Sequence, residues 1–193
     1  MSRNYKINNP EGIYYITFAT VEWVDLFTRP EYRNVLIDSL KYCKTNKGLQ
    51  IFAWVIMSNH VHFILRSKIG DLSGTIRDFK KYTAVKLIKE IKEHPKESRK
   101  SWILDVFKKA GQSNSQNKNY QLWRQNNQPK EILPYSSSFG KQKLDYIHNN
   151  PVNAGLVEKA EDYIYSSARD YAGGKGSVSY THLTLPTKPS VEM

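Results

Sequence analysis

The stretch Trp54-Val-Ile-Met-Ser-Asn-His-Val-His-Phe-Ile-Leu65 decides how this chain folds. It carries His60 and His62 with one apolar residue between them. On a β-strand successive side chains alternate faces, so both imidazoles point the same way, roughly 6–7 Å apart by two strand rises. Two neutral imidazoles held like this can grip one metal ion. The surrounding Val, Ile, Phe and Leu suit a central strand. Two histidines satisfied locally on a sheet face would show the same spacing, so the pair needs support from elsewhere in the chain.

Working outward, residues 49–57 read as one strand and 60–66 as the next, with Ser58-Asn59 as the tight connection of an antiparallel hairpin. Before them, Thr28-Arg-Pro-Glu31 looks like a capping box with Pro30 in the first turn. Tyr32, Val35, Leu36, Leu40 and Cys43 then recur at helical spacing, and Gly48 ends that helix. Residues 12–20, rich in β-branched and aromatic side chains, form an earlier strand. Residues 1–11 are polar and read as a loose arm.

After the histidine strand, residues 71–93 read as a long helix with Leu72, Ile76, Phe79, Thr83, Leu87 and Ile91 as its buried stripe. Arg77, Lys80, Lys81, Lys86, Lys89 and Lys92 make the remainder basic, and Pro95 ends it. A shorter helix is expected over 97–110 with Gly111 as its stop, then a polar linker over 111–119. Residues 120–124 read as a short fourth strand and 125–138 as loop. Residues 139–149 read as a helix stopping at Pro151, and 160–171 as a last small segment. Trp54 and Trp102 are expected in the core. Trp123 is either core or a stacking platform. The order strand, helix, strand, strand, helix, strand matches the split β-α-β pattern of a ferredoxin-like α/β sandwich, an α+β fold. The sheet should be antiparallel, with helices on one face and a further helix after it.

Residues 1–176 read as one domain. Residues 177–193 are Thr/Pro-rich, without periodicity, and resemble a translated sequencing-adapter sequence. That tail is expected to be non-native or disordered and is assigned no function.

The 193 residues carry 29 Lys and Arg against 18 Asp and Glu, a formal net charge of +11. This balance points to a polyanion, most simply nucleic acid. The 13 Tyr and 4 Trp add rings that can stack on unpaired bases. The single cysteine, Cys43, excludes an intrachain disulfide and a cysteine-rich zinc site, and fits a reducing cytoplasm. No apolar run approaches the ~20 residues of a membrane span, and the N-terminus lacks a signal peptide's apolar segment. The expected location is cytoplasmic, associated with a bacterial-type nucleoid.

A histidine pair supplies only two ligands. Leu144-Asp-Tyr-Ile-His-Asn-Asn-Pro-Val152 offers more: Tyr146 and Asn150 stand four apart, on one helix face. Docked on the histidine strand, that face would bring an amide oxygen and a phenol to the metal. Imidazole and oxygen ligands without thiolate suit Mg²⁺ or Mn²⁺. The tyrosine could attack phosphorus and keep the energy of the broken phosphodiester in a covalent phosphotyrosine. Tyr82, beside Lys80 and Lys81, is the rival nucleophile, but no ligand-type residue shares its face. His148 lies nearly opposite Tyr146 on the helix and suits a structural or DNA-contact role.

Trp54-Val-Ile-Met-Ser-Asn-His-Val-His62, Phe79-Lys-Lys-Tyr-Thr83, Tyr120-Gln-Leu-Trp123 and Leu144-Asp-Tyr-Ile-His-Asn-Asn-Pro-Val-Asn-Ala-Gly155 resemble the REP-associated tyrosine transposases, IS200-like members of the single-tyrosine HUH transposases. The resemblance implies an HUH endonuclease fold and cleavage of single-stranded DNA beside a small hairpin through a 5′-phosphotyrosine. It implies His60, His62 and Asn150 as metal ligands, Tyr146 as nucleophile, and a monomer or homodimer. Related enzymes often carry Gln at the third ligand position; here it is the shorter Asn. Arg77, Lys80, Lys81, Lys86 and His148 are the expected DNA contacts. Two other classes compete. A non-catalytic single-stranded nucleic-acid binder would need neither the histidine pair nor the tyrosine. A phosphodiesterase using activated water would need more carboxylates near the pair.

Overall fold

The protein is described from a computed structural model covering residues 7–113, 119–125, 128–133 and 137–181. Strand β1 (Ile13–Ala19) leads to helix α1 (Pro30–Asn46), then strands β2 (Leu49–Ile56) and β3 (His60–Ser67). Helices α2 (Leu72–Glu93) and α3 (Lys100–Gln112) follow, then β4 (Lys130–Ile132), α4 (Ser137–Asn153) and the single turn α5 (Ala168–Tyr171). The sheet order is β2-β3-β1-β4, antiparallel throughout. This is the ferredoxin-like order expected from the sequence, with α3 inserted between α2 and β4.

Alternation in the strands builds two cores. Tyr14, Ile16 and Phe18 of β1 and Val61, Phe63 and Leu65 of β3 face α1 and α2. The expected stripes Tyr32, Val35, Leu36, Leu40, Cys43 and Leu72, Ile76, Phe79, Thr83, Leu87, Ile91 are all buried. Each fully buried Leu, Ile or Phe there contributes about 1.5–3 kcal/mol. Thr83 fits among these apolar groups because its hydroxyl donates to the Phe79 carbonyl at 2.7 Å and accepts from Trp123 Nε1 at 3.0 Å. Trp123 is therefore core. Trp102, expected in the core, is 53 % exposed on α3. On the other sheet face Tyr15, Phe52, Ala53, Val55, Met57 and Ile64 meet Ile147 of α4. The extra residue Phe52 bulges β2 between Ile51 and Ala53, and both Phe52 and Ala53 join this second core.

β2 is the sheet edge, yet every one of its residues is buried. The chain after α4 covers it. Ile56 N–H donates to Tyr165 O at 2.9 Å, Ser167 N–H to Trp54 O at 2.9 Å, and Thr181 N–H to Ile51 O at 2.7 Å. Edge groups that would otherwise invite another strand are thereby satisfied. Val178 is buried in the main core, so residues 177–181 pack against the body rather than trailing from it. His182 and the rest of the expected tail lie outside the described residues, as do 1–6 of the expected arm and 114–118 of the expected linker.

Four boundaries differ from expectation. The capping box does not form: Arg29 is the N-cap of α1 without a side-chain bond, and Thr28 Oγ1 instead accepts from Arg99 at 3.3 Å. The fourth strand is Lys130–Ile132, not 120–124; the earlier segment makes only the Thr20–Trp123 bridge. α4 runs through Pro151 to Asn153, although proline there has no N–H to give the carbonyl one turn back. α3 starts at Lys100 and contains Gly111.

Glu97, outside α3, is an anchor instead. Its buried carboxylate accepts from Arg29 Nε at 2.9 Å and Arg99 Nε at 3.1 Å. Burial pushes its pKa up, but the hydrogen bonds from Arg99 and Arg29 outweigh burial and hold it down at about 2. The folded value lies below the unfolded one, so the stabilisation is complete above ~4.5. It drains as the pH falls through that value toward about 2. Glu97→Gln leaves two arginines facing a neutral amide and should cost about 3 kcal/mol. Urea denaturation at pH 7 measures this, and the deficit should shrink below pH 4.

Candidate active site

The β3 pleat puts His60, His62 and Ile64 on the face that α4 covers, and β1 lays Tyr15 and Thr17 beside them. The two histidine rings lie 4.7 Å apart between centroids. α4 docks by burying Ile147, which turns the neighbouring Tyr146 toward the strand. The Tyr146 ring stands 5.2 Å from the His62 ring and 6.4 Å from the Tyr15 ring, edge-on to both. It remains 43 % exposed, so one side is open to an incoming molecule.

Hydrogen bonds fix how the histidines present themselves. Asn59 Nδ2 donates to Trp23 O at 3.3 Å and to Asp25 Oδ1 at 3.0 Å, which orients its amide. Asn59 Oδ1 then lies 2.7 Å from His60 Nδ1 and can only accept. His60 therefore carries its proton on Nδ1 and offers a bare Nε2. His62 Nδ1 lies 2.8 Å from both Tyr15 Oη and Thr17 Oγ1. Its Nε2 is buried and has no hydrogen-bond partner among the described residues. Burial lowers the pKa of both: His62 falls to about 3, with His60 and Lys143 adding repulsion, and His60 falls against the opposing pull of Asp25. Both rings are neutral near pH 7, as metal ligation requires. A partnerless buried nitrogen costs about 1–3 kcal/mol unless something occupies it. The donor set fits a small divalent cation.

Asn150 keeps helical geometry and remains one turn beyond Tyr146, half-buried, with its carbonyl accepting from Ala154 N–H at 3.0 Å. Among the described residues no three His, Cys, Asp or Glu side chains gather as a metal cluster, so a third protein ligand would have to come from another oxygen donor, such as an amide, a phenol or a hydroxyl. Lys143, one turn before Tyr146, holds its ammonium 5.1 Å from the Tyr15 ring and 5.7 Å from the Tyr146 ring. Tyr15 is no rival to Tyr146: burial, with a smaller push from Tyr146, raises its pKa to about 12 despite the Thr17 hydrogen bond. Tyr82 is exposed on α2, on the opposite side of the sheet.

Among the expected DNA contacts, Arg77 and Lys81 are exposed on α2, and Lys86 pairs with Glu90 at 3.0 Å. Lys80 and His148, both half-buried, are also engaged by the chain itself. Lys80 Nζ donates to Arg124 O at 2.9 Å over the Phe18 ring, and burial lowers its pKa to about 8. His148 Nε2 lies 2.9 Å from Ser167 Oγ, against the Tyr171 ring, and burial lowers its pKa to about 4 despite Asp145.

Sequence reasoning missed Tyr15, Thr17, Asn59, Lys143 and Trp23. Trp23 follows Glu22 in a single turn of 3₁₀ helix (Val21–Trp23), and the two have φ of 54° and 50°. Left-handed backbone costs such residues roughly 1–2 kcal/mol each. The buried side chains of Val21 and Val24 hold the turn in place.

Comparison with known proteins gives the class. The chain belongs to the IS200-like transposase family, whose model matches residues 11–120, and this makes it a DNA transposase. Among solved structures it is similar to a REP-associated tyrosine transposase bound to a REP hairpin, with a TM-score of 0.57 and 20% identity. That match covers 97% of this chain and 98% of the other, and supports the fold. No curated protein matches. Among the described residues no helix is long and apolar enough to cross a membrane.

Proposed function

We propose that this transposase cleaves and transfers single-stranded DNA beside a hairpin, with Tyr146 as the nucleophile and His60, His62 and Asn150 as the ligands of Mg²⁺ or Mn²⁺. One observation carries the proposal: the Tyr146 ring stands 5.2 Å from His62, whose Nε2 is buried without a partner. Binding alone requires neither feature. A cation held there would polarise the scissile phosphate and stabilise its charge. Tyr146 Oη attacks phosphorus, a 5′-phosphotyrosine forms, and the strand leaves with a free 3′-hydroxyl. A later attack by that hydroxyl or another reverses the step without outside energy. Lys143 offers an ammonium to the phosphate at the open side of the tyrosine.

The direct test is incubation with hairpin-bearing single-stranded DNA from the flanks of the protein's own gene, with Mn²⁺ or Mg²⁺. A band that survives denaturing electrophoresis and is destroyed by a nuclease and protease in combination is the expected product. A water-activating phosphodiesterase would cut without any such band.

The net charge of +11 bears on affinity. Hairpin binding should weaken with salt, with log K falling about 0.9 per log unit of salt for each phosphate neutralised in duplex. Arg77→Ala and Lys81→Ala should each reduce that slope by about one. Unchanged slopes would show that α2 is a solvated face.

A further inference from the structure

We propose that Trp23 and Arg124 form a base-stacking subsite at the rim of this centre, which holds one unpaired base beside the scissile phosphate. The inference rests on the proposed cleavage of single-stranded DNA and adds the contact that sets the strand's register. Val21, Val24, Leu26 and Phe27 are all buried, while Trp23 between them is 50 % exposed. It is held outward by backbone that suits glycine better, with φ at 54°. The turn is tied at several points: Trp23 N–H donates to Thr20 O at 3.2 Å, Val21 N–H to Leu122 O at 2.9 Å, and Trp23 O accepts from Asn59. That same Asn59 amide orients His60, so the indole and the candidate ligand share one support. The indole lies 5.9 Å from the His60 ring, edge to face.

Arg124 completes the subsite. Its N–H donates to Ala19 O at 2.8 Å, its carbonyl accepts from Lys80, and its guanidinium lies 5.2 Å over the indole. A ring for a base and a guanidinium for the neighbouring phosphate thus meet beside His60, which the indole touches. Stacking on an aromatic ring accepts any base, so this contact positions the strand rather than reading its sequence. Strained backbone at Glu22 and Trp23, beside a candidate centre, has its counterpart in other functional sites.

Glycine at this position separates the subsite from a structural role. Trp23→Gly suits the positive φ, and that relief offsets the freer unfolded chain and the lost ring contacts, so its melting temperature should stay close to that of the parent. Its rate of adduct formation should nevertheless fall about tenfold. Trp23→Phe should restore most of the rate. The partner base is found with DNA carrying a single abasic site at each of three nucleotides on either side of the cut. One abasic position should slow the parent about tenfold and have no further effect on Trp23→Gly. Losses that add instead would overturn the proposal, as would a lowered melting temperature with an unchanged rate per folded molecule.

A second readout needs no chemistry. In protein carrying Tyr146→Phe and Trp102→Phe, hairpin DNA should quench tryptophan fluorescence, and Trp23→Gly should remove that quenching, since the remaining Trp54 and Trp123 are buried. Undiminished quenching would overturn the subsite. If the parent forms no adduct at all, the nucleophile assignment fails and the quenching alone decides Trp23.

Discussion

Tyr146→Phe should abolish the covalent protein–DNA adduct, by about four orders of magnitude or more, while hairpin affinity stays within about twofold. The substitution removes one oxygen and leaves the ring. The edge contacts with His62 and Tyr15 are ring contacts, so phenylalanine keeps the docking of α4. Ile147, which carries most of that docking, is untouched. The loss therefore belongs to chemistry and not to folding, and matching melting temperatures would establish that. An undiminished adduct would transfer the role to another residue. Tyr15 would be the nearest alternative, but its hydroxyl is buried and committed to His62. Adduct formation requires an oxygen that can reach phosphorus, and among the tyrosines of the described residues Tyr146 combines exposure with ring contact to His62.

The second large effect is at the ligands. Cleavage by the parent should stop in excess EDTA and return when Mn²⁺ is added beyond the chelator. His62→Ala should stop it irreversibly. His62→Ala also removes ring contacts with Tyr146 and Tyr15, so a loss of activity in that variant alone would be ambiguous. Asn59→Ala resolves the ambiguity. It leaves both imidazoles but frees His60 Nδ1 from its acceptor. Metal affinity should fall about 10–100-fold, with activity recovered at higher Mn²⁺ concentration. Titration of Mn²⁺ by calorimetry gives the affinity directly. Cleavage that persists in excess EDTA would remove the metal from the proposal.

Much of this was legible in the sequence, for a physical reason. The alternation through residues 60–65 and the helical stripes of α1 and α2 are long, regular and buried on known faces. Periodicity reports burial, and burial is what these elements have. Where burial and secondary structure part company, the sequence misleads. Leu122 and Trp123 are deeply buried, so 120–124 looks like a strand, yet it pairs through a single bridge. β4 is three residues long and buries only Ile132, so it leaves no pattern. Glu97 resembled a helix residue because its partners, Arg29 and Arg99, are invisible until the chain has folded.

The same division runs through the site. His60 with His62 and Tyr146 with Asn150 stand out in the sequence as candidates because each pair sits within one element at that element's own period. Tyr15 and Thr17 share a face of β1 by the same rule. That they face His62 depends on the register Thr17↔His62, which no local pattern encodes. Lys143 was hidden for a related cause: the rings it approaches come from two elements. Lys80 was read as a DNA contact because lysines usually point to water, and only the fold shows the carbonyl that holds it. A tryptophan between the buried Val21 and Val24 would normally be drawn in with them.

The docking of α4 on β3 within one chain has a consequence for dilution. A centre divided between two subunits exists only to the extent that the subunits associate, and it disappears as the protein becomes scarce. Here the histidines and Tyr146 are brought together by the burial of Ile147 against the same chain's sheet. That association is intramolecular, with an effective concentration fixed by packing. Within this chain the juxtaposition draws on no second copy, and its upkeep is set by the stability of a hydrophobic contact.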